Sequence, residues 1–180
     1  TFFITGFNGP DNDGNVSIKA MDLLTLAANE KAKAPRPSYG KLLAAISAGA
    51  TSATLTPLGI GVDYPLTGKA RIDGEIVSYT RVDDVLTISR ALNNTTAAEH
   101  SVNATVQLCL EYNAESPSDI LFDLLANFAG VPVQYLDLAQ WADESAEFLP
   151  RLYSAIITEP MGVTELIGEM CEQMYFALFW

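Results

Sequence analysis

Any imidazole chemistry in this chain must use His100, because it is the only histidine among the 180 residues. A catalytic triad places such a histidine beside a serine or cysteine nucleophile, commonly on a sharp turn between a strand and a helix. Glu99 and Ser101 flank His100 without that pattern. The surroundings therefore favour a structural or surface role for His100 over catalysis.

Asp73 and Glu75 form a carboxylate pair of the kind that general acid–base chemistry uses, as in glycoside hydrolysis. Because they are two residues apart on a predicted strand, they should point to the same side of a sheet. Such pairs are common on solvated strand faces, and the sequence has no glycine-rich phosphate loop. We therefore assign no catalytic residue and expect that this chain is not an enzyme.

Metal-binding patterns are weak. One histidine and two distant cysteines do not supply the three or four ligands of a zinc site. Oxygen side chains alternate at Asp11, Asp13 and Asn15, as at the opening of a calcium loop, with Asp22 eleven positions after the first. Val16, however, occupies the place where such a loop needs glycine. A polar hairpin loop is favoured over a calcium site, and neither a metal nor a cofactor is expected.

Cys109 and Cys171 lie in apolar stretches, where cysteine behaves as a small buried hydrophobe. We expect free buried thiols, with a disulfide between them as the alternative. Three tyrosines, Tyr64, Tyr79 and Tyr112, lie in or near the predicted strands. Tyr64 and Tyr79 are candidate sugar or partner contacts, although a place in the core of a small barrel is favoured for all three.

Charge is the most informative part of the composition. The net charge is −12, which argues against nucleic acid as a partner because phosphates would be repelled. From residue 115 to the end there is one base, Arg151, against eleven acids (Glu115, Asp119, Asp123, Asp137, Asp143, Glu144, Glu147, Glu159, Glu165, Glu169 and Glu172). This acidic third is either a solvated helical face or a docking surface for a basic partner. No apolar run approaches the roughly 18 residues of a membrane span.

Short strands predominate in the first 112 residues. The β-type runs at 2–7 and 16–20, separated by turn formers, predict a hairpin with a long loop. Asp22 can cap a helix that ends near Lys33, with Leu23, Leu24, Leu26 and Ala27 on its apolar face. Six further strands with turn residues between them are predicted at 42–46, 53–56, 70–72, 76–79, 85–88 and 104–110. Such a series predicts a small barrel or sandwich.

The apolar period becomes 3.6 residues after Ser116, which is a good helix cap followed by proline. The first helix carries its apolar stripe at Ile120, Leu121, Leu124, Leu125 and Phe128, and Gly130 ends it. A second helix is predicted over 136–148, with Leu138, Trp141 and Ala142 inward. A third is predicted over 163–174, with Leu166, Ile167, Met170, Cys171 and Met174 on one side. A strand is predicted over 176–180.

These elements predict an α+β fold in which strand–helix segments and a C-terminal helical region are interrupted by a small all-β module. Residues 1–37 and 113–180 are expected to pack together, and residues 38–112 to form the inserted module. Three units in a row are the alternative. β-type runs at both ends lead us to expect a segment of a longer protein.

Several of these stretches resemble the hub protein of the tail tip of long-tailed bacteriophages and prophages. They are FFITGFNGPD at 2–11, GNVSIKAMDLLTLA at 14–27, KAKAP at 31–35, ISAGATSATLT at 46–56, IDGEI at 72–76, LTISR at 86–90 and NTTAAEHS at 94–101. The similarity covers most of 1–112 and is weaker over 113–180. None of these stretches is a catalytic signature.

The resemblance implies a non-enzymatic virion protein of the tail tip, assembled in the bacterial cytoplasm. Such hubs form a ring, usually a trimer, that closes the tail tube and carries β-barrel-like domains. Their partners are the distal tail protein, the tape-measure protein, and fibres or receptor-binding proteins. A carbohydrate- or receptor-binding module on the host-facing side of the tail is the alternative function.

Overall fold

A computed structural model describes residues 2–22 and 24–178, with side chains at 4–22 and 25–178. The chain forms two compact units. The first, here called the hairpin–helix unit, comprises Thr1–Lys33, Ala114–Tyr153 and Met161–Trp180. The second, here called the β-unit, comprises Ala34–Asn113 and Ser154–Pro160. The β-unit therefore takes in a short segment, 154–160, from the part of the sequence predicted to be helical.

Six antiparallel strands form the sheet of the β-unit, in the order β4-β5-β8-β7-β6-β9. Their bounds are β4 Lys41–Leu42, β5 Ser52–Thr56, β6 Thr67–Ile72, β7 Glu75–Val82, β8 Val85–Leu92 and β9 Val106–Leu108. A bridge between Lys41 and Thr105, with a hydrogen bond from Leu42 N to Ala104 O, brings the first strand to the last. The sheet is thus a nearly closed small barrel, and the predicted α+β fold with a small all-β module is confirmed.

Alternation of side chains along the strands fills this barrel. In β8, for example, Leu86 and Ile88 point inward while their neighbours are exposed. The hydrophobic core of the barrel consists of Leu42, Ala53, Leu55, Tyr64, Ala70, Ile72, Val77, Tyr79, Leu86, Ile88 and Val106. A two-residue turn, Asp73-Gly74, joins β6 to β7, and Asp73 takes a φ of 51° there. The predicted first strand at 42–46 is shorter than expected, since β4 ends at Leu42.

The hairpin–helix unit begins with the predicted hairpin. β1 (Phe2–Asn8) pairs antiparallel with β2 (Ser17–Asp22). The helix predicted to run to Lys33 is wrong in length: α1 covers only Leu24–Ala27. A turn replaces the rest, because Asn29 N bonds Leu26 O and the Asn29 side chain accepts from Lys31 N. The predicted inward face of this helix includes Leu23 and Leu24, whose side chains lie outside the described residues.

The three later helices follow the predicted positions. α2 (Pro117–Asp123) continues as a π-helical turn over Leu124–Phe128, α3 covers Leu138–Phe148, and α4 covers Val163–Met174. Ser116 caps α2 by accepting a hydrogen bond from Asp119 N, and Gly130 follows its last turn with a φ of 72°. The predicted inward face of α3 is wrong at Ala142, which is exposed; Ser145 is the buried residue there.

Two further strand pairs and the C-terminus complete the description. β3 (Lys33–Ala34) pairs with β12 (Met161–Gly162), and β10 (Leu110–Glu115) pairs with β11 (Tyr153–Ile157). The strand predicted at 176–180 is wrong for 176–178, which have no strand partner among the described residues; its remainder lies outside them. No helix in the described ranges has the length and apolar content of a bilayer span.

Candidate functional site

Glu75 is the centre of a buried polar cluster in the β-unit. It is the first residue of β7, and its side chain is only 1% exposed. Arg90 on β8 donates to both carboxylate oxygens, from Nε to Oε1 and from Nη2 to Oε2, each at 2.7 Å. This fork-on-fork geometry is the strongest pairing that arginine makes with a carboxylate.

Backbone groups complete the hydrogen bonding of this ion pair. Ala91 N donates to Glu75 Oε1 at 2.9 Å, and Ala98 N donates to Oε2 at 3.1 Å. The guanidinium of Arg90 also donates to the carbonyls of Ser47, Ala50 and Ala98. A buried charge is stable only when its donors and acceptors are satisfied in this way. The pair therefore holds the segments 47–50 and 91–98 in place through hydrogen bonds to their backbones.

His100 bridges the two carboxylates that the sequence singles out. Its Nδ1 lies 2.7 Å from Asp73 Oδ2, and its Nε2 lies 2.9 Å from Glu75 Oε2. The His100 backbone forms two 2.9 Å bonds with Ile46. The structure thus places His100 in a buried structural position.

The electrostatics of this cluster do not suit acid–base chemistry. Hydrogen bonding from Arg90, opposed by burial and assisted by His100, lowers the pKa of Glu75 to about 2. A carboxylate with that pKa holds no proton to donate near neutral pH, and its oxygens already accept five bonds. The prediction that Asp73 and Glu75 share a solvated face is wrong. Asp73 is exposed in the turn, whereas Glu75 begins the strand and points into the protein.

Tyr64 and Tyr79, the predicted contact residues, lie in the barrel core. Their rings meet edge to face with centroids 6.3 Å apart, and burial raises the pKa of each to about 12. Tyr64 Oη donates to Val106 O, and the Tyr64 ring packs so closely on Gly40 that a side chain there would collide with it. Because both rings are buried, neither can stack on a sugar in this conformation. Tyr112 is buried as well.

The other residues considered for metal or thiol chemistry also have structural surroundings. The carboxylate of Asp11 accepts from Asp13 N, Asn15 N and the Asn15 side chain, and closes the hairpin loop. Within the described residues, no group of three or more His, Cys, Asp or Glu side chains could hold a metal ion. Cys109 and Cys171 are free thiols and half-buried, and burial raises the pKa of Cys109 to about 11.

The β1–β2 hairpin presents an exposed apolar face. Phe7 pairs with Ile18, and Ile4 pairs with Ala20, so these four side chains share one side of the ribbon. An irregularity between Ile4 and Gly6 inserts the extra residue that keeps Ile4 and Phe7 on the same side. Phe7 is 66% exposed, and Ile4 and Ile18 are exposed to a similar degree. We call these four residues the hairpin face.

A groove opens between α2 and α3 within the hairpin–helix unit, with a volume of about 470 Å³. One wall is α2 and a second is the 175–178 segment. The third is a single face of α3, because Gln140, Trp141, Glu144, Ser145 and Phe148 recur at helical spacing. Apolar and polar side chains both line the groove, and Ser145 is the buried residue of α3. We call this the α2–α3 groove.

No protein-family model matches this chain. No curated protein matches it either. Its function is therefore inferred from its own residues, the resemblance of its sequence stretches, and the surfaces just described.

The sequence predicts the hairpin face and the α2–α3 groove only in part. The alternation of Val16, Ile18 and Ala20 predicts a strand with one apolar side, but alternation normally indicates a side that is buried. For the groove, the apolar period of α3 places Trp141 inward correctly, as a half-buried residue. It gives no sign that Phe148 is exposed, because that depends on how α2 and the 175–178 segment pack around α3.

Proposed function

We propose that this chain is a non-enzymatic structural component of a bacteriophage tail tip that acts in tail assembly and attachment through contacts between subunits. The resemblance of residues 1–112 to tail-tip hubs supports this proposal. The observation that carries it is the exposed hairpin face, an apolar surface on a strand pair that joins no third strand within the described residues.

A two-stranded hairpin is marginally stable in water unless it packs against something else. The outer edges of such a strand pair are also templates for strand addition from another chain. The exposed side chains of the hairpin face do not stabilise the chain on its own. Burying Ile4, Phe7 or Ile18 in a contact would stabilise that contact by about 1.5–3 kcal/mol for each side chain. A second copy of this chain, or the distal tail or tape-measure protein, would bury them during assembly.

The test is the mass of the purified chain in solution, measured by light scattering together with electron microscopy. We expect a closed ring of a few subunits, a trimer by resemblance. Phe7→Ser combined with Ile18→Ser should shift the population towards monomer, because it removes the apolar contact and leaves the strand pairing intact.

Val102→Ser is the matched control, since Val102 is 52% exposed but lies in the β-unit. The control should leave the mass unchanged. A wild-type chain that stays monomeric at high concentration and binds none of the three kinds of tail protein contradicts the proposed function.

A host-facing binding module is the second candidate, and one observation favours it. The loop after β5 is held to the β7–β8 turn, because Gly59 N and Gly61 N each donate to the Asp84 carboxylate at 2.7 Å. This end of the barrel exposes four large aliphatic side chains: Leu58, Val62, Leu66 and Val82. They suit a protein receptor better than a sugar, which stacks on aromatic rings. If the chain binds host cells and Leu58→Ser abolishes that binding, this candidate is favoured.

A further inference from the structure

We propose that the α2–α3 groove binds a basic amphipathic helix from another protein. The groove lies in the hairpin–helix unit and shares no residue with the hairpin face. This inference is therefore independent of the proposed function, and either one can fail without the other.

The apolar lining of the groove provides anchor sites for large side chains. Leu121 from α2 is buried, Trp141 is half-buried, and Phe148 at the rim is 71% exposed. A helix that lies in such a groove inserts side chains at positions i, i+3 or i+4, and i+7. Aromatic side chains in grooves commonly supply most of the binding energy. The volume of about 470 Å³ is enough for a few apolar side chains.

Charge identifies the chemistry of the occupant. Glu144 lines the groove, and Asp143 and Glu147 flank its face on α3. Gln140 donates to one Glu144 oxygen at 2.8 Å, and no ion pair of Glu144 occurs within the described part of the chain. The sequence has no lysine or arginine from 115 to 150. An acidic edge on the α3 side of a partly apolar groove matches a helix that carries Lys or Arg beside Leu or Phe.

The inference can be tested by selecting binders to the whole chain from a displayed library of random 16-residue peptides. We expect the enriched peptides to combine apolar residues at helical spacing with Lys or Arg, and to bind less tightly as salt rises. Phe148→Ser should weaken their binding about tenfold, because it removes a rim contact. Glu144→Lys should weaken it by a similar factor through charge repulsion.

Two control variants make the outcome decisive. Glu169→Lys reverses an exposed charge on α4, and Val102→Ser removes an exposed apolar side chain in the β-unit; neither residue lines the groove. Both should leave binding unchanged. The inference is overturned if no peptide is enriched, if the enriched peptides lack basic residues, or if the groove variants bind them as tightly as the control variants do.

Discussion

At the scale of single residues, Glu75 shows how one buried charge can organise several loops. Its carboxylate accepts from Arg90, from two backbone amides, and from His100. These donors are contributed by segments 15 to 25 residues further along the chain. Removing the charge leaves Arg90 buried without its counter-charge, which is much less favourable than the intact pair.

Glu75→Gln should therefore lower the free energy of unfolding of the β-unit by about 3 kcal/mol. The amide keeps the volume but loses the charge and part of the hydrogen bonding. Urea unfolding followed by circular dichroism would measure the change. Glu99→Gln is the matched control, because Glu99 is exposed beside His100 in the loop after β8 and should change stability very little. Equal stability of the two variants would contradict the structural role of Glu75.

The pKa of Glu75 also predicts how stability depends on pH. The folded protein holds this pKa at about 2, below the ordinary value of 4.5. Its contribution is fully present above pH 4.5 and is lost as the pH falls towards 2, because the unfolded chain binds the proton more readily. The loss amounts to about 3 kcal/mol. The difference in unfolding free energy between wild type and Glu75→Gln should shrink over that range; a constant difference would contradict the assigned pKa.

The sequence predicted the residue types of this cluster but not their arrangement. Period-two spacing placed Asp73 and Glu75 on one face, yet the two-residue turn begins at Asp73 and gives that residue a φ of 51°. The strand therefore starts only at Glu75, and the spacing rule does not apply across the turn. His100 reaches both carboxylates because of the path that the loop takes after β8. No local sequence pattern specifies that path.

At the scale of elements, local signals predicted the helices that have clear caps. Ser116 accepts from Asp119 N, and proline follows it at the first helical position, so α2 begins where the sequence indicated. The helix expected after Asp22 was predicted to run to Lys33, whereas α1 ends at Ala27. The turn at Asn29 ends it, because the asparagine side chain bonds the backbone two residues on.

Ser116→Ala should destabilise the hairpin–helix unit by about 1 kcal/mol, since it removes the acceptor for Asp119 N. Thermal unfolding monitored by tryptophan fluorescence would report the change, because Trp141 lies on α3 beside α2. Ser101→Ala, at an exposed loop position in the β-unit, is the control. If the two variants unfolded at the same temperature, Ser116 would have no significant capping role.

At the scale of the whole molecule, the sequence predicts that residues 38–112 fold as a module inserted between two segments that pack together. The hydrophobic core cluster of the β-unit is drawn from residues between Leu42 and Val106. The segment 154–160 adds strand β11 and an ion pair of 2.9 Å between Arg71 and Glu159, whose side chains are both partly exposed. An ion pair of that kind contributes about 0–1 kcal/mol. The core therefore does not depend on the later segment.

Residues 34–113 expressed alone should consequently fold, with dispersed amide signals in the NMR spectrum and a cooperative urea transition. Leu86→Ala in that shortened chain should lower its stability by about 2–5 kcal/mol, because Leu86 is fully buried and its removal leaves a cavity. Val82→Ala, at an exposed position in the same barrel, should have little effect. A shortened chain with collapsed amide signals would show that the barrel needs the rest of the protein in order to fold. The prediction of an independently folding inserted module would then be wrong.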